Sequence, residues 1–480
     1  MHLAALIVAF ALPAAPAAGL PLQTDIEAML AKGPAGTRYG LVVSTLDGTE
    51  LLAIAPDERF IPASNTKMFT TATAYADLVA LQQAAMGTGV RLALEHNPPD
   101  VVLYGRGDAS LSSRPGCTTN CLQTLADAVA AKTRQVGDVI GDDSWFPTEP
   151  WGQGMSWNNI QSRYGTGISA LTLDDNEMAM MVTPGSFGAT PGIAASAYYR
   201  IDNRIVTVAG ASNTITAERA PNNNLVRLAG TIGAQSKAVT LYFSIDDPAY
   251  YAAWRMRDLL RDRGVRVTGD VGTGHRLLGP SDDPAVRSGA PPARPPLPDM
   301  LMELPAPSLA ADMSVTNKQS QNLHAELLLR RIARQAGSGS VADGRAAVRK
   351  MMAQAGIAAE SYTLADGSGM SSYNRITPRT AASLLVWIAR QPWGEAWRKT
   401  LPIAGEDGTL RGRFKGTILN SKLFAKTGSL NAARALSGYL TSKSGRILIF
   451  SALANDMPDG TDGQASAAVD EALVAVAEAF

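Results

Sequence analysis

A proline-rich segment in the second half of the chain constrains the fold most strongly. Proline fixes its own φ angle and lacks a backbone N–H group, so neither a helix nor a central strand can run through such a segment. The prolines concerned are Pro280, Pro284, Pro291, Pro292, Pro295, Pro296, Pro298, Pro305 and Pro307. The segment therefore predicts a stiff, extended connector and a boundary between domains.

The sequence before residue 90 and the sequence after the connector share one character. Both combine helix-like apolar spacing with strand-like runs, and Asp47-Gly48 lies between two such runs as a hairpin signal. Helices are predicted at residues 22–32, 68–85, 323–336, 344–355 and 467–480. We predict one domain built from residues 19–89 and 300–480, with an antiparallel sheet covered by both terminal helices.

The middle of the chain, residues 90–299, has a different character. It contains many short strand-like pieces that are separated by glycine, asparagine and proline, and a helix is predicted at residues 250–263. This pattern predicts a β-rich insertion of two small domains that ends in the proline-rich connector. The predicted fold class is therefore α+β, with a helix-covered antiparallel sheet that the insertion interrupts.

Residues 1–18 are predicted to form a secretory signal peptide. An apolar run at residues 3–12 precedes small residues at positions 14–18, which suit cleavage by signal peptidase. The alternative is a short membrane anchor, but about 10 apolar residues cannot span a hydrocarbon core of ~30 Å. We therefore expect an exported, periplasmic protein with at most peripheral membrane contact.

The charge balance, the cysteines and the histidines exclude several kinds of chemistry. Lys+Arg and Asp+Glu number 43 each, so nothing in the composition supports nucleic-acid binding. In an oxidising compartment, Cys117 and Cys121 are expected to form a small disulfide rather than a metal site. The four histidines lack metal-ligand spacing, which leaves metal catalysis and a Ser-His-Asp triad without support. We expect chemistry that needs no histidine.

Ser64-Asn65-Thr66-Lys67 opens a predicted helix and is the first candidate for chemistry. Residues three apart share a helix face, so the Lys67 amine can reach the Ser64 hydroxyl and take its proton. Burial or nearby positive charge would have to lower the pKa of Lys67 for this role. Taken alone, the tetrapeptide is more typical of an N-cap serine followed by a solvated lysine.

Ser320 and Asn322 form the second candidate, just before the helix predicted at residue 323. In a loop or extended turn, both side chains can point the same way. Ser320 could pass a proton between a lysine and a leaving amine, and Asn322 could hold a peptide carbonyl. An ordinary cluster of N-cap residues is the alternative interpretation.

Lys426-Thr427-Gly428-Ser429 is the third candidate and lies on a strand-like run. Alternation along a strand places Lys426 and Gly428 on one face, and Gly428 leaves room for a substrate backbone. Lys426 and Thr427 offer a cation and a hydroxyl for a terminal carboxylate. The Ser429 N–H could help to bind an oxyanion. The alternative is an ordinary strand end.

Together and in this order, the three motifs resemble the set shared by penicillin-binding proteins and serine β-lactamases. The long stretch between the first two motifs resembles the D-Ala-D-Ala carboxypeptidase/endopeptidase family called penicillin-binding protein 4, or peptidase family S13. Further similar stretches begin at Tyr104, Gly141, Val182, Asn322, Asp366 and Leu401. The resemblance covers nearly the whole mature chain and implies a DD-peptidase fold with two inserted domains.

The resemblance also implies a reaction, acyl transfer on peptidoglycan stem peptides. Ser64 would be the nucleophile and Lys67 its base, and β-lactam antibiotics would acylate the same serine. Asp142 and Phe146 match positions that line the pocket for the diaminopimelate side chain in the family. The resemblance implies no metal and no organic cofactor, and it leaves the oligomeric state open.

Two positions depart from the family pattern, and two other functions stay open. Ser372 stands where relatives often carry a basic residue, and Asn431 stands where a glutamine is expected. A β-lactamase or esterase with the same motifs would be recognised by fast deacylation. A catalytically idle wall-binding protein would gain support if Ser64→Ala left the cellular role unchanged.

Overall fold

The computed structural model describes residues 19–292 and 298–480, so the predicted signal peptide lies outside the described residues. The helices are α1 (Gly19–Leu30), α2 (Thr66–Ala76), α3 (Leu78–Gln83), α4 (Leu122–Lys132), α5 (Pro248–Asp262), α6 (Leu309–Lys318), α7 (Asn322–Ala336), α8 (Val341–Gln354), α9 (Pro378–Ala389), α10 (Gly394–Arg398) and α11 (Asp462–Ala479). Within the described residues, no helix combines the length and the apolar character that a bilayer crossing requires.

The strands are short except for those near the two chain ends. They are β1 (Arg38–Thr45), β2 (Glu50–Ile54), β3 (Gly89–Ala93), β4 (Asp100–Tyr104), β5 (Gln135–Val136), β6 (Val139–Asp142), β7 (Glu177–Thr183), β8 (Gly192–Ala195), β9 (Arg200–Asn203), β10 (Val206–Val208), β11 (Thr216–Glu218), β12 (Leu225–Ala229), β13 (Thr231–Gly233), β14 (Val239–Ser244), β15 (Arg266–Val267), β16 (Val271–Gly274), β17 (Met302–Glu303), β18 (Tyr362–Thr363), β19 (Arg375–Ile376), β20 (Leu423–Leu430), β21 (Ala433–Thr441) and β22 (Ile447–Asn455).

The central sheet is antiparallel and joins the two ends of the chain. Its strand order is β2-β1-β22-β21-β20, and β1 pairs with β22 from Arg38 opposite Asn455 to Thr45 opposite Leu448. The predicted hairpin connects β1 and β2, and Gly48 has a φ of 92°, which glycine adopts without a steric penalty. This arrangement leaves β20 at an edge of the sheet, beside the start of α2.

Helices cover both faces of this sheet. The terminal helices α1 and α11 pack on one face, where Ile26 and Leu473 share a buried cluster with Leu41. On the other face, α2, α8 and α9 contribute to a second buried cluster, which includes Phe69 and Leu385. Burial of apolar side chains on both faces is the main driving force for this layered packing. The predicted α+β class is confirmed.

The middle of the chain builds a mixed sheet, in the order β16-β6-β4-β3-β17, together with several smaller sheets. Strands β4, β6 and β16 run parallel, and parallel strands need crossover connections, so α4 joins β4 to β6. One hydrophobic cluster extends from this sheet into the smaller ones. The division of residues 90–299 into two domains stays a prediction. Strand β3 begins at the first predicted boundary, and its partner β17 lies just beyond the second.

Several helices differ from the sequence prediction. The helix predicted at residues 68–85 is two helices, because the chain turns at Asp77, which has φ −101° and ψ 15°. Aspartate has a low helix propensity, since its carboxylate can form hydrogen bonds with nearby backbone N–H groups in non-helical conformations. Helices α4, α6, α9 and α10 were not predicted. For α9 a signal was present, since Thr377 accepts a hydrogen bond from the Thr380 N–H and Pro378 occupies the first turn.

A buried ionic cluster connects the middle region to the helices that follow the connector. His324 on α7 bonds through Nδ1 to Asp312 on α6 at 2.5 Å and through Nε2 to Asp175 at 3.2 Å. Burial alone would lower the pKa of His324, but hydrogen bonds to Asp175 and Asp312 outweigh it and raise the pKa to about 9. His324 is therefore protonated near neutral pH and holds three separate segments together.

We predict that His324→Asn lowers thermal stability in a pH-dependent way. Because the folded pKa lies above the unfolded value, the stabilisation is complete below pH ~6.5 and disappears as the pH rises through about 9. Thermal melts should show the variant about 2 to 5 °C below the unsubstituted chain at pH 6. That deficit should shrink towards pH 10.

The matched control is His96→Asn. His96 is exposed and pairs with Asp100 at 2.8 Å, and exposed ion pairs stabilise proteins little. This control should therefore melt close to the unsubstituted chain at both pH values. A deficit for His324→Asn that is equal at pH 6 and pH 10 would contradict the predicted role of the imidazolium.

Candidate active site

Ser64 lies in a tight 3-10 turn that leads directly into α2. The turn spans Ala63–Asn65, and Ala63 has a φ of 46°, in the left-handed region that residues other than glycine seldom adopt. The Asn65 side-chain amide donates a hydrogen bond to the Lys426 carbonyl at 2.8 Å. This bond fixes the turn against edge strand β20, so two of the three predicted motifs are in contact.

Lys67 is completely buried, and its ammonium group makes three hydrogen bonds. Lys67 Nζ donates to Ser64 Oγ at 2.8 Å, to Asn322 Oδ1 at 2.6 Å and to the Ser368 carbonyl at 2.6 Å. Burial lowers the pKa of Lys67 to about 7, although the carboxylates of Asp366 and Glu326 oppose this shift. At neutral pH a large fraction of Lys67 is uncharged and able to accept the Ser64 proton.

Lys426 is the second buried lysine of the site. Its Nζ donates to Ser320 Oγ and to the Thr427 carbonyl, both at 2.8 Å. Burial, together with the positive charge of Lys67, holds the pKa of Lys426 well below its usual value. Two ammonium groups in one dry site repel each other, so a state with a single charge on the pair is favoured.

Ser320 and Asn322 flank the junction of α6 and α7. Ser320 has a φ of 58°, and its hydroxyl faces Lys426 rather than Lys67. Asn322 uses both ends of its amide, because Oδ1 accepts from Lys67 and Nδ2 donates to the Tyr164 carbonyl at 2.9 Å. Tyr164 belongs to the middle region, so that region helps to position the site.

A loop that follows β18 supplies the carbonyl that holds Lys67. The Asp366 carboxylate accepts hydrogen bonds from the backbone N–H groups of Gly369 at 2.9 Å and Ser371 at 2.6 Å, and from Asn374 Nδ2 at 2.7 Å. In the sequence this stretch is recognisable only by its family resemblance, and the contact of the Ser368 carbonyl with Lys67 was not predicted. Its Asp-Gly-Ser-Gly composition was the available signal for a carboxylate-stabilised turn.

The motifs surround one cleft of about 550 Å³. Its polar lining comes from Ser64, Asn159, Tyr164, Gln319, Ser320, Asn322, Thr409, Arg413, Thr427, Ser429, Asn431, Arg434 and Ser466. Gly428 also lines it, but a Cβ there would lie 2.6 Å from the Pro62 carbonyl oxygen. Glycine is therefore required for the strand to approach the turn that carries Ser64. The room for a substrate backbone, and the roles of Thr427 and Ser429, stay predictions.

Asp142 and Phe146 are not among the residues that line this cleft. Asp142 ends β6 and accepts hydrogen bonds from the Ser144 N–H at 2.9 Å and hydroxyl at 2.6 Å. Phe146 is buried in an apolar cluster with Leu323 and Leu327 on α7. Their proposed contact with a diaminopimelate side chain stays a prediction, and packing against α7 accounts for Phe146.

The two cysteines are not among the residues that line the cleft. Cys117 and Cys121 are joined in a disulfide with a Cα–Cα distance of 5.8 Å. It closes the short loop that precedes α4.

We predict that Gly369→Ala destabilises the chain strongly. The new Cβ would lie 1.9 Å from the Ala63 carbonyl oxygen, and the φ of 91° adds a conformational penalty. The matched control is Gly356→Ala, which has a φ of 72° but open space around the Cβ. Thermal melts should give Gly369→Ala a free energy of unfolding that is about 2 kcal/mol or more below that of the control. Equal losses would contradict the tight contact between this loop and the Ser64 turn.

Comparison with known proteins agrees with the predicted family. The sequence matches the D-Ala-D-Ala carboxypeptidase 3 (S13) family over residues 22–479. It is 33% identical over 479 residues to a D-alanyl-D-alanine carboxypeptidase of Actinomadura sp. (strain R39), covering 94% of this chain and 83% of that protein. It is 26% identical over 459 residues to the D-alanyl-D-alanine carboxypeptidase DacB of Haemophilus influenzae, covering 91% and 89%.

The structure is also similar to a solved one. The crystal structure of penicillin binding protein 4 (dacB) from Haemophilus influenzae superimposes with a TM-score of 0.74 at 22% sequence identity, over 94% of this chain and 99% of that one. At this identity the match shows a shared fold. The sequence match over residues 22–479 shows that the chain belongs to the D-Ala-D-Ala carboxypeptidase 3 (S13) family.

Proposed function

We propose that this chain is a serine DD-peptidase that cleaves the D-Ala–D-Ala bond of peptidoglycan stem peptides through an acyl-enzyme on Ser64. The observation that carries the proposal is the pair of buried lysines. Lys67 Nζ donates a hydrogen bond to Ser64 Oγ, and Lys426 Nζ donates one to Ser320 Oγ. Both bonds are 2.8 Å long, and both serines line a single cleft. This arrangement offers a nucleophile, a base and a proton donor without any histidine.

The first step is attack on the peptide carbonyl. Uncharged Lys67 takes the Ser64 proton, and Ser64 Oγ forms a bond to the carbonyl carbon. The backbone N–H groups of Ser64 and Ser429 would bind the oxyanion, since Ser429 lies on the free edge of the sheet. The free-energy cost of developing negative charge on Ser64 Oγ is lowered because Lys67 Nζ already forms a hydrogen bond to this oxygen.

The second step breaks the peptide bond and releases the amine. Ser320 donates its hydroxyl proton to the departing nitrogen and takes a replacement from Lys426, which holds the single charge of the lysine pair in the reactive form. Lys67 is then protonated and Lys426 is neutral. Water attacks the ester by the reverse path, which returns a proton to Ser64 and restores Lys426.

Thr427 and Thr409 would contact the substrate's terminal carboxylate. Their hydroxyl oxygens lie 2.7 Å apart at the cleft, and both can donate to an anion. In a carboxypeptidase reaction the leaving group is free D-alanine, and in an endopeptidase reaction it is a cross-linked peptide with the same adjoining carboxylate. We propose that the mature chain acts on both types in the periplasm, following the predicted signal peptide, and that β-lactams acylate Ser64.

The proposal is tested by D-alanine release from a stem pentapeptide ending in D-Ala-D-Ala. We predict that Ser64→Ala lowers the rate about 10³-fold or more, because the nucleophile is lost. The matched control is Ser466→Ala, which removes a hydroxyl from the same cleft but touches neither lysine, and its rate should stay within about threefold. A cross-linked dimer substrate tests the endopeptidase reaction in parallel. Undiminished release by Ser64→Ala would refute the proposal.

A further inference from the structure

Two carboxylic acids are buried next to the lysine that activates Ser64. Glu326 on α7 and Asp366 on the loop after β18 are both largely inaccessible to solvent. Neither carboxylate takes part in the proposed proton transfers. Burying two carboxylates together is unfavourable unless their charges are compensated, so their presence beside Lys67 requires a physical explanation.

Glu326 is connected to Lys67 through a single residue, Ser368. The Glu326 Oε1 atom accepts hydrogen bonds from the backbone N–H groups of Gly367 at 3.0 Å and Ser368 at 2.8 Å. The carbonyl of Ser368 accepts from Lys67 Nζ at 2.6 Å. Thr70 on α2 fixes the same segment by donating to the Gly367 carbonyl at 2.8 Å. Glu326 therefore holds the segment that holds Lys67.

The charged groups around Glu326 and Asp366 come from four elements. Asp366 faces it from the loop and adds negative charge, and Lys67 approaches from α2. Arg330 lies one turn further along α7, but its guanidinium is already paired with Glu149 at 2.5 Å. Arg345 on α8 interacts with Asp366 rather than with Glu326. The charge of Arg330 does lower the pKa of Glu326, but arginine keeps its proton in proteins. Lys67 is thus the cation of this group whose protonation can respond to the charge on Glu326.

We infer that Glu326 is a positioning residue whose own protonation sets the protonation of Lys67. An ionised Glu326 favours charged Lys67, which cannot act as a base. Proton uptake by Glu326 removes that stabilisation and favours the uncharged, reactive amine. When Glu326 and Lys67 together hold one proton, that proton is therefore distributed between the carboxylate and the amine. This exchange needs no further co-reactant. Burial and then the charge of Asp366 raise the pKa of Glu326 to about 7, the same range as Lys67.

The inference rests on the proposed role of Lys67 as the base, and the pH profile of Ser64 acylation tests it. Glu326→Gln keeps the shape of the side chain but removes the charge. In this variant the acidic limb of the pH profile of the acylation rate should lie about one pH unit or more lower. The limb should then follow a single ionisation. Glu326→Asp keeps the charge and should leave the limb near its original pH even if the rate falls.

The control variant is Asp343→Asn, which removes a buried carboxylate paired with Arg287 and should not move the limb. An unmoved limb in Glu326→Gln would overturn the inference. An equal shift in Glu326→Asp would overturn it too, because the effect would then come from shape rather than charge.

A direct titration separates this inference from the proposed function. The side-chain NMR signal of Lys67, assigned by its loss in Lys67→Arg, should titrate at a lower pH in Glu326→Gln than in the unsubstituted chain. This measurement needs no reaction. If the chain were not acylated at all, the proposed function would fail, while the titration would still support or refute the link between Glu326 and Lys67.

Discussion

The burial of two lysine side chains is the constraint on which the rest of this structure depends. Moving an ammonium group out of water is costly, so each amine must find partners and gives up its proton readily. Lys67 and Lys426 meet this condition with hydroxyl, amide and backbone oxygens alone. Their low basicity is the property that allows a lysine to deprotonate a serine at neutral pH.

Four separate parts of the chain must converge to bury these amines. The Ser64 turn and β20 contact each other directly, and Gly428 permits the close approach. The α6–α7 junction contributes Ser320 and Asn322, and the loop after β18 contributes the Ser368 carbonyl. The middle region adds the Tyr164 carbonyl. The middle region is therefore connected to the residues around the buried lysines, and the ionic cluster around His324 strengthens this connection.

Local patterns were enough to predict the contact between Ser64 and Lys67 and the arrangement of the central sheet. The three-residue spacing of Ser64 and Lys67 depends only on helix geometry, and Asp47-Gly48 marks a hairpin in any context. The contacts of Ser368 and Glu326 could not be predicted in this way, because they join segments far apart in the chain. The left-handed conformation of Ser320 could not be predicted from its residue type, since residues with such a φ are usually glycine or asparagine. The proposed pocket position of Phe146 came from resemblance alone and stays a prediction. In the structure its ring packs in an apolar cluster.

The central claim is that Ser64 is the residue that becomes acylated, and intact-mass spectrometry after brief exposure to benzylpenicillin tests it most directly. The account predicts one stable adduct per chain, located on the peptide that contains Ser64 and absent from Ser64→Ala. An adduct that persists in Ser64→Ala would contradict the account. The absence of any adduct would also contradict it. In that case, intact drug would indicate a catalytically idle protein, and rapidly consumed drug would indicate a β-lactamase.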